Sequence, residues 1–473
     1  MSQTITIDPV TRLEGHGKIT IHLNDQGAVE NANFHVTQVR GFEKFSEGRP
    51  FYEMPSLMAR ICGICPVSHL IASAKACEAI MAVRIPHTAA QLRRMLNLAQ
   101  MVQSHALSFF HLSSPDLLLG MESDPTKRHI FGVAAARPDL GLAGIGLRRF
   151  GQHIIELLGN KRIHPGWVVP GGVTEPLSPA HRDEILAMLP EAYRNVQLAL
   201  TTYKQIAGNF KAEIEVFANF PSNYLGLINE DETIEFTDGA LRLIDPTGTI
   251  IEDGISAHRF TEQFGEAVEN YTYTKFVYYK PLGYPEGSYR VGPLPRLNIV
   301  KSMGTPMADE ELKLFKQMSA GPIESSFHYH HARLVEALYG IELIERILTD
   351  PLILDKHVRA TAGVNRLEGA GQIEAPRGTL VHNYKVDENG KMTWANLVVA
   401  TGHNNKAMNQ GVLQSAKAYV KDGKFTEGAL NRIEAVIRTY DPCLSCSTHA
   451  FGQMPLVVSL VKPDGEVVDQ LIR

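Results

Sequence analysis

The sequence predicts a mainly helical α+β protein, a core of long helices with antiparallel strands at its periphery. Three observations carry this. Apolar residues recur at helical spacing through most of a long middle and again near the end; short alternating segments, bounded by Asn, Asp and Gly, interrupt them; and 44% hydrophobic with 21% charged residues over 473 positions supports a sizeable core.

Ile19, Ile21 and Leu23 alternate with polar residues, the turn-forming Asn24-Asp25-Gln26-Gly27 follows, and Val29 to Val36 reads as a return strand. Residues 52 to 83 and 88 to 115 read as helices separated at Pro86, the second with Leu92, Met95, Leu96, Ala99 and Val102 as its core-facing stripe. Ser178 is an N-cap with Pro179 at the first helical position, opening a helix that runs toward Phe217 with a bend at Pro190. A β-rich insertion is expected near 233 to 292, then helix from 308 to 349. Thr379 to Ala400 predicts a hairpin around Asn389-Gly390, and helices at 405 to 421 and 426 to 439 lead to Asp441. No fixed-period repeat or low-complexity tract divides the chain, so a single elaborated domain over 1 to 473 is expected.

A net charge of -5 and a pI near 6.4 give no electrostatic support for a nucleic-acid or polybasic membrane partner. The opening MSQTITIDPV has neither a basic nor an apolar signal region, and no apolar run reaches transmembrane length. A soluble, cytoplasmic protein is expected. There is neither a GxGxxG nor a GxxxxGK[ST] pattern to cradle a nucleotide phosphate.

The five cysteines are unevenly placed: Cys62 and Cys65 in RICGIC, Cys443 and Cys446 in DPCLSC, and Cys77 in the apolar-small run LIASAKACEAIMAV, where core packing accounts for it. In a reducing compartment two CxxC pairs point to metal or redox chemistry rather than to disulfides. Four thiolates suit zinc, an iron-sulfur cluster, or nickel with iron, and spacing alone does not choose. The 381 positions between Cys62 and Cys443 exceed any compact zinc ribbon and favour a site closed between distant parts of the fold. A bridging zinc stays open at this point. The His328, His330 and His331 cluster in FHYHHAR points its side chains in different directions on a helix, so packing or interface roles are expected.

The motifs DPVTRLEGHGKI, RGFEKFSEGRP, RICGICPVSH, QSHALSFFHLSSPD, EAPRGTL and DPCLSCSTH, in that order, resemble nickel-iron hydrogenase large subunits along nearly the whole chain. SFFHLSSPDLLLG, YRVGPLPRLN and the HARLVEAL segment look most like the cytoplasmic bidirectional, NAD-reducing type. The resemblance implies reversible heterolytic cleavage of molecular hydrogen. It makes Cys62 and Cys443 terminal nickel ligands and Cys65 and Cys446 thiolates shared by nickel and iron, the iron also carrying carbon monoxide and cyanide. Glu14 becomes the proton relay beside a terminal cysteine; Arg377, with Pro376, lies over the iron; Asp116 and Asp441 are the acidic members of that canopy; and His69 is a hydrogen-bond donor close to the site. A magnesium site is implied at Glu43, the carbonyl of His403, and His449.

The same resemblance implies partners. Electrons would be carried by an iron-sulfur small subunit together with flavin- and NAD-binding diaphorase subunits, since this chain itself binds neither a cluster nor NAD. Nickel-insertion proteins and an endopeptidase would mature it, the latter removing 450 to 473 after His449. Two alternatives are a hydrogenase serving another soluble acceptor, F420-independent or electron-bifurcating, and a structural zinc protein, which would have no reason for the Glu14, Arg377 and Glu43 motifs. A related quinone-module subunit of respiratory complexes characteristically lacks the four ligands, which are intact here.

Overall fold

The structure, a computed structural model, describes residues 3–421, 423–448, 457–462 and 467–472. Its core is a stack of long helices: α1 (Pro66–Met81), α2 (His87–Ala106), α3 (Pro138–Gly159), α4 (Pro179–Ile206), α5 (Tyr329–Thr349), α6 (Ala400–Tyr419) and α7 (Glu427–Tyr440). Helix α2 packs on both α3 and α5, and α4 closes the group against α3 and α5. The predicted stripe Leu92, Met95, Leu96, Ala99 and Val102 is buried in this contact, where each Leu or Met contributes on the order of 1.5–3 kcal/mol of burial. α2 does not stop at Ala106. It continues as a π-helical segment, Leu107–Ser113, into a short α-helix, Ser114–Leu119. Such widened turns free backbone groups for outside partners, and the Leu112 carbonyl accepts from Arg12 Nη1 at 2.8 Å.

Strands Gln3–Ile7, Gly17–Leu23 and Val29–Val36 form a three-stranded antiparallel sheet, with Ile19 paired to Phe34 and Ile21 to Ala32. The expected hairpin is therefore present, with one further strand before it. The second expected hairpin is present as Gly378–Val386 and Met392–Val398, extended by Glu368–Ala375 into a three-stranded sheet. That added strand lies against α1 so closely that a Cβ on Gly371 would stand 2.2 Å from the Ala72 carbonyl oxygen. The middle strands begin at Asn223, earlier than 233, and form a four-stranded sheet ordered Tyr289–Arg290, Asn223–Ile228, Ala240–Ile244, Ile250–Ile255. Leu225, Leu227, Leu241, Leu243, Phe260 and Tyr289 belong to a second apolar cluster there, apart from the main core.

Three helical readings need correction. Residues 52 to 83 are not one helix: short turns end at Ile61, Cys62 is extended (φ -140°, ψ 141°), and α1 begins at Pro66, whose missing N–H is harmless in the first turn. The reading over 308 to 349 splits into Pro306–Lys316 and α5, since Gly321 and Pro322 cannot propagate a helix between them. α4 starts as expected, with Ser178 Oγ accepting from the His181 N–H at 3.1 Å and Pro190 accommodated inside, but it stops at Ile206 before a 3-10 turn. Cys77 is fully buried in α1, its thiol donating to the Phe51 carbonyl at 3.1 Å.

Candidate metal centre

The extended backbone at Cys62 and the Pro66 helix start turn both thiols of RICGIC the same way, and the Ile64 and Cys65 N–H groups point at Cys62 Sγ at 3.2 and 3.3 Å. At the other end of the chain, α7 terminates in Asp441, a left-handed residue (φ 51°), and the turn after it presents Cys443 and Cys446. The two motifs meet. Cys62 Sγ lies 3.5 Å from Cys443 Sγ, Cys65 Sγ 3.6 Å from Cys446 Sγ, and Cys443 and Cys446 Sγ are 2.8 Å apart, with all four sulfurs within 4.8 Å of one another and buried.

The donor set itself tests whether a cation belongs here. Hydrogen bonds from Cys443, Cys446 and Cys62 hold the Cys65 thiol well below its ordinary value, whereas burial pushes Cys443 and Cys446 well above theirs. A lone negative charge is accommodated among the sulfurs; four thiolates need positive charge between them. Arg377 Nη1 and Asp441 Oδ2, both buried, have no hydrogen-bond partner among the described residues, as fits a bound group with its own polar ligands. A nickel-iron centre therefore fits the residues present.

Glu14 is built into the same turn. It forms a parallel bridge with Cys443, its carbonyl accepts the Leu444 N–H at 3.1 Å, and its Oε2 accepts from the Ser445 N–H at 3.0 Å and the Cys443 thiol at 3.1 Å. Gly15 makes the approach possible: a Cβ there would stand 2.7 Å from Leu444 Cβ, at a φ of 91°. Arg377 donates from Nη2 to Asp441 Oδ1 at 3.0 Å and from Nε to the Asp441 carbonyl. Although burial opposes its charge, Asp441 and the sulfurs of Cys443, Cys65 and Cys62 hold the Arg377 guanidinium well above its ordinary value. Pro376, its neighbour, has its carbonyl 3.5 Å from Arg296 Nη2. His69 hydrogen-bonds Cys65 and reaches His382 Nε2 through Nδ1 at 3.2 Å; His382 Nδ1 meets Tyr384 Oη at 2.8 Å, and Tyr384 donates to Ser73 Oγ at 2.8 Å.

One expected contact is made elsewhere. Asp116 is not bonded to Arg377. Its carboxylate is taken up by Arg12 Nη2 at 2.5 Å, Arg438 Nη1 at 3.0 Å and Asn431 Nδ2 at 3.0 Å, because the π-helical segment turns it toward α7 and the start of the chain. His403, expected as a carbonyl donor, lies in the first turn of α6, and its Nδ1 meets Tyr289 Oη at 2.7 Å. The cavity beside Glu43, of about 20 Å³, is lined by Leu397, Val399 and Gly402, the residue before His403, with Glu266, Lys275 and Ser447. Glu43 Oε1 accepts the Leu397 N–H at 2.8 Å, and burial raises its carboxyl above the usual range. His449 lies outside the described residues. The sequence reading missed Arg12, Arg296 and Arg438, although Arg12 stands inside TRLEGH and Arg296 inside YRVGPLPRLN. Of the FHYHHAR histidines, His330 and His331 are buried against Phe327, Tyr203 and Phe315 and His328 is half-buried beside Phe327, and among the described residues the only grouping placed to hold a metal is the four cysteines.

Comparison with known proteins adds to this geometry. A family model described as nickel-dependent hydrogenase matches residues 40–127 and 142–449, and a HoxL-like model matches 4–39. The chain is 41% identical to the beta subunit of the NAD-reducing hydrogenase HoxS of Cupriavidus necator, covering 100% of both. It is 40% identical to a chain of the vhc F420-non-reducing hydrogenase of Methanococcus voltae, over 96% of this chain and 97% of that one. A crystal structure of an NAD+-reducing [NiFe]-hydrogenase in the H2-reduced state superposes with a TM-score of 0.92 at 41% identity, covering 94% of this chain and 99% of the other.

Proposed function

Because the chain belongs to the nickel-dependent hydrogenase family, we propose that it is the catalytic subunit of a soluble, NAD-linked enzyme interconverting H2 with two protons and two electrons. The observation that carries this reading is Glu14 Oε2 at 3.1 Å from a sulfur of the four-cysteine cluster. When bound, the nickel-iron centre supplies the two-electron redox chemistry of heterolytic hydrogen cleavage.

The chain's own residues divide the remaining work. Cys62 and Cys443 would hold the nickel, and Cys65 and Cys446 would serve nickel and iron together, the four thiolates supplying soft anionic donors. The Cys443 sulfur hands its proton to Glu14 Oε2, a carboxylate already within hydrogen-bond reach. Arg377, held by Asp441 beside Pro376, would offer fixed guanidinium donors to the carbon monoxide and cyanide of the iron and would offset thiolate charge. His69 orients Cys65. Magnesium would be held by Glu43, the carbonyl of His403, His449 and waters, oxygen-rich chemistry that suits a hard cation. Electrons leave through an iron-sulfur small subunit to a flavin- and NAD-binding module. Nickel-insertion proteins load the site, and an endopeptidase removes residues 450–473 after loading. No helix among the described residues is long and apolar enough to cross a membrane, in keeping with a cytoplasmic complex.

A second acceptor stays in view, because identity to an F420-non-reducing hydrogenase is 40% beside 41% for the NAD-reducing one. Purification of the native complex decides between them. Nickel and iron together with H2-dependent NAD reduction by all subunits are expected. H2-dependent dye reduction without an NAD module establishes the hydrogenase and leaves the acceptor subclass open, and stoichiometric zinc overturns the hydrogenase reading.

A further inference from the structure

The segment that carries Glu14 is gripped immediately before it. Arg12 sits at φ 56°, a left-handed conformation unfavourable for a residue with a side chain, and its guanidinium has three anchors: the Leu112 carbonyl at 2.8 Å, Asp116 Oδ1 at 2.5 Å and Asn431 Oδ1 at 3.1 Å. Thr11 is held as firmly. Its carbonyl and hydroxyl accept from Arg438 Nε and Nη2 at 3.0 and 2.9 Å, while its N–H and hydroxyl donate to Glu434 at 3.2 and 2.8 Å. Arg438 also bonds Asp116 Oδ2 at 3.0 Å, closing the ring.

We propose that Arg12, Asp116 and Arg438 form a clasp that positions the Glu14 carboxylate against Cys443. The proposal rests on Glu14 being the proton relay. Its logic is one of registration: Arg438 belongs to the last turn of α7, which delivers Cys443 a few residues later, so bonding Thr11 to Arg438 fixes the Glu14 segment relative to the sulfur it serves. The π-helical segment supplies the third point of the frame through Leu112 and leads on to Asp116. Proton transfer is sensitive to such placement, since a shift of about 1 Å can cost on the order of 100-fold in rate. Arginine suits the post because its planar fork spans three acceptors, which a lysine ammonium on one point cannot. Asp116 and Arg12 are thus positioning residues that act through Glu14, and the aspartate has no need of Arg377.

The test uses the native complex carrying Arg12→Gln, Arg12→Lys, Glu14→Gln and the double variant Arg12→Gln/Glu14→Gln. Nickel and iron content, hydrogen turnover, hydrogen-deuterium exchange with solvent, and a crystal structure giving the Glu14 Oε2 to Cys443 Sγ separation are measured for each. Arg12→Gln is expected to keep its metals, lengthen that separation beyond hydrogen-bond reach, and lose turnover and solvent exchange by on the order of 100-fold. Arg12→Lys should lie between it and wild type. The double variant should be no slower than Glu14→Gln alone, since a clasp acting through Glu14 has nothing left to position. Multiplicative losses, unchanged exchange in Arg12→Gln, or loss of metals in both Arg12 variants overturns the clasp while leaving the relay standing. Wild-type exchange in Glu14→Gln removes the relay and the clasp together.

Discussion

Two clusters of buried charge flank the four sulfurs, and they are inversions of one another. At Asp116 three guanidiniums converge on one carboxylate: Arg12 at 2.5 Å, Arg438 at 3.0 Å and Arg128 at 3.6 Å. At Arg296 two carboxylates converge on one guanidinium, Glu336 at 2.7 Å and Glu374 at 2.6 Å, with His105 behind Glu336 at 2.8 Å. The first reaches water, since the Arg12 side chain is 17% exposed; Arg296, Glu336 and Glu374 are all at 0%. The first grips the segment before Glu14. The second bonds the Ala375 and Pro376 carbonyls and so backs Arg377. Arg296 is therefore a folding requirement, the cation that two carboxylates with no access to solvent share. Arg12 is one of several cations around Asp116, and its loss can be met by its neighbours and by water. The depth of a charge cluster, more than the number of its bonds, sets whether its removal unfolds the protein or only misaligns it.

The sulfurs between the clusters give the largest expected effect. Cys446→Ser removes one of the four converging sulfurs, so nickel and iron should be absent by metal analysis and hydrogen turnover abolished; a metal-loaded, active Cys446→Ser would break the assignment of the site. Next comes Arg296→Gln, which strands Glu336 and Glu374. Its stability in denaturant unfolding should fall by about 3–5 kcal/mol, against roughly 1 kcal/mol for Arg12→Gln; equal losses would erase the contrast between the two regions. Glu14→Gln sharpens it further, because metals and fold should survive while turnover and solvent exchange fall on the order of 100-fold or more.

Acid should act through histidines withdrawn from water. Burial lowers His105 to about 4, His328 to about 4 and His330 to about 3, although Glu336 favours the charged form of His105 and Asp116 that of His330. In the unfolded chain each titrates near 6.5. The unfolded chain thus takes up protons that the folded chain refuses, and stability drops as pH falls from about 6.5 toward 4, by up to roughly 1.4 kcal/mol per pH unit for each histidine. Unfolding midpoints measured across that window check it, and His330→Gln should flatten the slope by one group's share. The smallest effect belongs to Cys77→Ala, expected to cost about 1 kcal/mol and leave metal content and turnover unchanged; a loss of nickel there would mean that the fifth cysteine is not mere packing.

Local signals made much of the frame legible. Alternation in Ile19, Ile21 and Leu23, the Asn389-Gly390 turn, the Ser178-Pro179 cap and the apolar stripe of α2 each depend on neighbours in the chain, and each element stands where they put it. The ends of elements were less legible. RICGIC reads as helix by composition, yet extended backbone at Cys62 is needed to turn both thiols one way; Ala400 to Asn404 joins α6 because it docks on the strands, which no local pattern records. At the centre, the sequence by itself determined which side chains could do the chemistry: four thiols in two CxxC pairs, Glu14 in its motif, and Arg377 after Pro376. Only the tertiary structure decided who meets whom. It brought sulfurs 381 positions apart to within 3.5 Å, gave Asp116 to Arg12 and Arg438 instead of Arg377, and set Glu43 beside a cavity lined by Gly402 and Ser447. The reason is physical: a buried charge must be matched by whatever opposite charge lies nearest in space, and that neighbour is fixed by helix packing and by where the π-turn rotates the chain, quantities summed over the whole fold and written at no single position.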